Sequence, residues 1–172
     1  GLAETERARL LAFCCLLPTL LLCSALIWFG GQASIETTRN FYGVLKLRQV
    51  DRGTPQERLL LVHGNTVHGG ELLDPGMRGE PISYYGPGSG VARALRWLQQ
   101  ADGFRAQHVG VVGLGAGVLA GFRRPGDRYR FYEIDPAVAE LARRRFAWLS
   151  DVPGVTEVRF GDGRLLLESE PA

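Results

Sequence analysis

Three textures of hydrophobic and polar positions follow one another along the chain. The first is unbroken: residues 10–29 read LLAFCCLLPTLLLCSALIWF, and no charged side chain occurs from Leu10 to Ile35. Wound as a helix, ~20 apolar residues match the ~30 Å hydrocarbon core of a bilayer. The pattern therefore predicts one transmembrane helix with its flanks in residues 1–35. Trp28 and Phe29 stand at its end, where aromatic rings favour the interface, and Pro18 is compatible with a kink. A secretory signal peptide is the competing reading. Against it, the flank ETERAR balances acids and bases, and the run exceeds the ~7–15 residues of a typical signal core. Cys14, Cys15 and Cys23 all lie inside the run, which makes them apolar fillers and not a disulfide or metal framework. Arg7, Arg9 and Arg39 flank both ends, so the orientation stays open.

The second texture is short and β-like. NFYGVLKLRQV and ERLLLVHG carry aromatic or branched residues between turn-forming DRGTPQ and HGNT. Within a small unit spanning residues 36–86, positions 40–72 predict two or three antiparallel strands, and LDPGMRGEP breaks the pattern as a loop. Next, Ser89 is placed to cap a helix over SGVARALRWLQQ that sets Val91, Leu95 and Leu98 on one face.

The third texture alternates strand with helix over residues 87–172. HVGVVGLG is the branched apolar run of a buried parallel strand, and AGVLAGF predicts a helix directly after the glycines. A second strand, YRFYEID, ends in acid. A helix opening at Pro136 follows, and the strand GVTEVRF ends at Gly-Asp-Gly. This order predicts the first half of a Rossmann-like sheet of the class I methyltransferase type, stopping before a fourth strand. In such a sheet ligands bind beyond the carboxyl ends of the strands, where Gly113, Gly115, Gly117, Glu133 and Asp162 would converge. The glycines admit sharp turns and close approach, and Glu133 is placed to accept hydrogen bonds from ribose hydroxyls.

The dinucleotide pattern G-x-G-x-x-G fails, because its third glycine falls on Val118. G-x-G-x-G, with acids after the second and third strands, suits an adenosine without phosphates. The plainer alternative is that the glycines serve helix–strand packing and the acids are solvated strand ends. Composition adds little: a net charge of +2 gives no argument for nucleic acid. Lys46 is the only lysine, which removes most candidates for a Schiff base. The chain starts at Gly1 and its one methionine is Met77, so it reads as a piece of a longer protein.

In order, RNFYGVLKL, LVHGNTVHGG, PISYYGPGSGVARAL, VGLGAGVLAGF, FYEIDPAVAELA and GDGRLLLE resemble the spermidine synthase-like family, in particular the bacterial branch fused behind membrane helices. The resemblance implies a β unit closing over a Rossmann-like domain that takes decarboxylated S-adenosylmethionine, or S-adenosylmethionine, as co-substrate, without a metal. It implies a polyamine as the second substrate, with no nucleic-acid partner and a homodimer as a compatible assembly. A bacterial inner-membrane location with the folded domain on the cytoplasmic side also goes with it. Carried over by position, Gly113, Gly115 and Gly117 line the nucleoside, Glu133 holds the ribose and Asp162 meets the adenine edge. Tyr84 would border the amine, and His68, with His63, would line the pocket mouth. For two histidines so spaced in a turn-rich segment, ordinary hydrogen bonding outweighs metal binding.

Several positions depart from the family pattern. Ala116 replaces the aspartate that takes the cofactor amine, Tyr84-Tyr85-Gly86 replaces Tyr-His-Glu, and Val67 and Glu71 both fit the family glutamine imperfectly. The family's catalytic aspartate follows a fourth strand, so no catalytic residue is assigned and the chain by itself is expected to be inactive. Two further functions stay open: methyl transfer from intact S-adenosylmethionine, which Ala116 favours, and a membrane-tethered domain that binds an adenosyl ligand without turnover.

Overall fold

In the computed structural model the described residues are 6, 9, 15–24, 34–103, 105–149 and 154–170. The chain divides into two units, Gly1–Ala33 and Ser34–Ala172. In the first unit, residues 15–24 are helical. No helix among the described residues is long and apolar enough to cross a membrane. This corrects the expected transmembrane helix, together with the inner-membrane location and membrane partner drawn from it. The rest of the 10–29 run, including Cys14, Trp28 and Phe29, lies outside the described residues.

The second unit opens with four antiparallel strands in sequence order: β1 (Ser34–Asn40), β2 (Gly43–Val50), β3 (Arg58–His63) and β4 (Thr66–Leu72). Two or three strands were expected, and the addition is β1. Its sequence SIETTRN has no apolar alternation, but β-branched Ile35, Thr37 and Thr38 suit an extended edge that pairs with β2 through the main chain, from Ser34 opposite Arg48 to Asn40 opposite Gly43.

A three-stranded parallel sheet follows, β5 (His108–Val112), β6 (Arg128–Glu133) and β7 (Val155–Phe160), paired in that order. The fold is mixed α/β, with one antiparallel and one parallel sheet. Both sheets feed one core, in which Leu45, Leu47 and Leu61 join Leu114, Val118, Phe131 and Trp148. Ser89 caps the helix Gly90–Ala101 by accepting the Ala92 N–H. That helix buries Ala92 and Leu95, while Leu98 is largely exposed, so the inward face lies slightly off the one expected.

A second difference follows the glycines. The segment Val118–Phe122 is a 3-10 turn and not an α-helix. Interior glycines cost an α-helix ~1 kcal/mol each. Gly121 is held by packing too: a Cβ there would lie 2.7 Å from the Trp148 ring.

Asp127 anchors the turn entering β6. It is buried, and it accepts the N–H groups of Gln107 and Arg124 at 2.9 Å each, with the Arg124 guanidinium 3.3 Å away. Burial pushes its pKa up, but these donors outweigh burial and hold it below the ordinary value. A carboxylate depressed in the folded state stabilises above its unfolded pKa, ~3.9, and loses that contribution as pH falls through the folded value. Thermal melts should therefore give a steady midpoint between neutral pH and ~5 and a falling one below ~4. Asp127→Asn should start from a lower midpoint and fall less steeply; an identical acid limb in both proteins would remove Asp127 as a source.

Candidate nucleoside site

Beyond Val112 the chain turns through Gly113, Leu114, Gly115, Ala116 and Gly117, with all three glycines at positive φ. Two long-range hydrogen bonds pin the turn. The Ala116 N–H donates to the carbonyl of His68 in β4 at 3.0 Å. The Leu114 N–H donates to Glu133 Oε2 at 2.9 Å. Glu133, buried at the end of β6, uses Oε1 to accept the Asp135 N–H at 2.9 Å. Each carboxylate oxygen thus holds one backbone donor and retains a second lone pair.

A cavity of about 270 Å³ opens over the carboxyl ends of β5 and β6. Gly113 and Gly115 form its floor edge, Glu133 and Asp135 supply carboxylates, and Tyr42, His63 and His68 come from the antiparallel sheet and its first hairpin turn. A Cβ on Gly113 would meet no protein atom within 4 Å, so a side chain there would take up cavity space. The His63 and His68 rings are 5.8 Å apart, and His63 Nε2 donates to the Tyr42 carbonyl at 2.8 Å. Burial, then the neighbouring His63, push the His68 imidazole below its ordinary value against the pull of Glu133. His68 accordingly favours its neutral form near neutral pH.

Of the residues singled out from sequence, Gly113, Gly115, Glu133 and His68 meet at this cavity. Gly117 lies beneath it, where a Cβ would touch Leu149 and Trp148. Asp162 is exposed and caps the helix Gly163–Ser169, accepting the N–H groups of Arg164 and Leu165. Tyr84 lies in a separate groove with Arg58, Asn65 and Val67, and its hydroxyl donates to the Val67 carbonyl at 2.9 Å. Ala116 is fully buried; a Cβ on Gly69 of β4 would come within 3.0 Å of its methyl group. Glu71 is also fully buried, accepting the Ala147 N–H at 3.2 Å and pairing with Arg78 at 3.3 Å, away from the cavity.

Asp135, which lines the cavity, and Asn40, which bonds to it, went unread. Asp135 caps the helix Pro136–Arg145 by accepting the Ala137 N–H at 2.9 Å. Its Oδ1 also accepts from the Asn40 amide of β1 at 2.7 Å. The usable signal was an acid directly before a proline at a helix start, where an N-cap belongs. Asn40 had no such signal, because its partner is distant in sequence.

No family model matches the sequence, and no curated protein matches it. Among solved structures, the chain is similar to a probable spermidine synthase from Corynebacterium glutamicum, with a TM-score of 0.52 and 21% identity over 78% of this chain and 47% of that one. The likeness gives this chain a spermidine synthase-like fold. The chain spans less than half the length of that protein.

Proposed function

We propose that the cavity bounded by Gly113, Gly115 and Glu133 binds the adenosyl part of an S-adenosylmethionine-type ligand. In this reading, residues 36–86 form the β unit that closes over a nucleoside-binding part, residues 87–172, and Glu133 takes the ribose hydroxyls. The observation that carries the reading is the Leu114–Glu133 hydrogen bond, which fixes a carboxylate against the glycine turn beside open space. Carboxylate acceptors at a strand end suit a vicinal diol.

The reaction that fits best is aminopropyl transfer from decarboxylated S-adenosylmethionine to a di- or polyamine. The described lining contains two carboxylates and neither lysine nor arginine, which favours a cationic ligand over one that carries its own carboxylate. In that transfer the amine nitrogen forms a C–N bond to the propyl carbon, the C–S bond breaks with its electron pair left on sulfur, and a proton leaves the amine for a base. No residue of this chain is assigned as that base. Methyl transfer from the intact cofactor is the second reading, favoured by the lack of an acid at Ala116.

Calorimetry with methylthioadenosine tests the site. Glu133→Ala should weaken binding by about 1.5–3 kcal/mol, roughly tenfold to a hundredfold, as expected for charged hydrogen bonds. Unchanged affinity would remove Glu133 from the site. Competition between the two cofactors separates the reactions, and a clear preference for the intact form would overturn aminopropyl transfer.

A further inference from the structure

Two imidazoles line the cavity, and they differ in what holds them. His63, at the end of β3, donates from Nε2 to the Tyr42 carbonyl at 2.8 Å, which tethers its ring. The half-buried His68 ring has no side-chain hydrogen bond among the described residues. Successive side chains of a strand point to opposite faces, and Val67 lines the separate groove beside Tyr84, so His68 is turned to the cavity, with its ring 5.8 Å from that of His63. The other titratable groups of the lining are Tyr42 from the first hairpin turn, Glu133 from the end of β6, and Asp135 ahead of the helix Pro136–Arg145. With both carboxylates ionised, the lining carries two negative charges while the imidazoles are neutral, and no net charge once both are protonated. A space of about 270 Å³ is small enough that a charge held anywhere in it lies within the ~8–10 Å screening length of His68.

From this juxtaposition we infer that His68 reads the charge of the ligand: as a neutral imidazole it accepts a sulfonium in the cavity, as an imidazolium it repels one, and an uncharged thioether binds in either state. The inference rests on the adenosyl reading above and deepens it, because it lets the site tell a sulfonium co-substrate from its thioether product. Burial, and next the neighbouring His63, hold His68 below its ordinary value against the pull of Glu133. The sulfonium-accepting form therefore prevails at neutral pH and is lost on acidification. The coupling is reciprocal: a bound sulfonium makes His68 harder to protonate.

The test is calorimetric titration of the 172-residue chain with methylthioadenosine and with its S-methyl sulfonium, the same nucleoside bearing one positive charge. The ratio of the two affinities cancels whatever pH does to the shared adenosine. In wild-type protein the preference for the sulfonium should fall about tenfold from pH ~8 to ~5.5, as expected for a charge gained beside another at close range. His68→Gln removes the titrating ring and keeps the main-chain carbonyl that accepts the Ala116 N–H. It should lose most of that fall. A ratio that does not change with pH in wild-type protein, or that changes equally in both proteins, overturns the role of His68 and leaves the site reading intact. Wild-type protein that binds neither nucleoside overturns both. Should the glutamine variant fail to fold, the imidazole proton resonances of the wild-type protein decide. The sulfonium, and not methylthioadenosine, should lower the pH at which His68 titrates, and an unmoved midpoint overturns the inference.

Discussion

Replacing Gly115 with alanine should destabilise the second unit by on the order of 3 kcal/mol and abolish nucleoside binding. Two effects add. At φ +56° an L-residue is in the left-handed region, which costs ~1–2 kcal/mol by itself. The new methyl group would also lie 2.4 Å from the carbonyl oxygen of His68. That oxygen belongs to the backbone of β4 and accepts the Ala116 N–H, so it cannot swing aside without breaking the hydrogen bond that seats the turn. Gly64 supplies the control. Its φ is +59°, nearly the same, yet a Cβ there would meet nothing within 4 Å. Gly64→Ala should cost only the backbone part, ~1–2 kcal/mol, and leave binding intact. Urea denaturation of both variants measures the difference; equal losses would mean that β4 gives way easily and does not grip the turn.

The second large effect belongs to Trp148. It is fully buried, and its ring backs Gly121 while its first side-chain carbon backs Gly117. Its carbonyl accepts from the buried Arg123 guanidinium at 3.1 Å. Trp148→Ala should cost ~3–5 kcal/mol, the range for emptying a large aromatic site in a core that relaxes only partly. Trp148→Phe should recover more than half of it, since most of the apolar volume returns. A thermal midpoint that phenylalanine does not restore would point instead to the main chain around Arg123.

The parallel half of the fold was the most legible part of the sequence. HVGVV reads as a strand because it is branched and apolar, but the expected burial is not met: its positions alternate between exposed and half-buried, and the central strand β6 is the one that is mostly buried. Ser89 and Pro136 mark helix starts through purely local chemistry. Ser34–Asn40 was not legible as a strand: an edge strand held by main-chain pairing leaves no alternation to read. The candidate site divides along the same line. Glu133, Gly113 and Gly115 could be brought to one cavity from the sequence because strand ends and turns are local features. The position of Tyr84 in another groove and the tie that holds Asp135 depend on partners at Val67 and Asn40, far away along the chain.

The hydrogen bond from Ala116 to His68 also sets an order of assembly. Strands β1 to β4 pair only with sequence neighbours, so each pairing closes a short loop. The glycine turn is seated by a strand that precedes it by the whole intervening loop and the helix Gly90–Ala101. Closing that longer loop costs more entropy before any contact rewards it. The antiparallel meander therefore forms first and serves as the template on which the turn is cast. In a refolding experiment, strand signal should rise ahead of nucleoside affinity, and the interval between them measures how long the chain waits for its last contact.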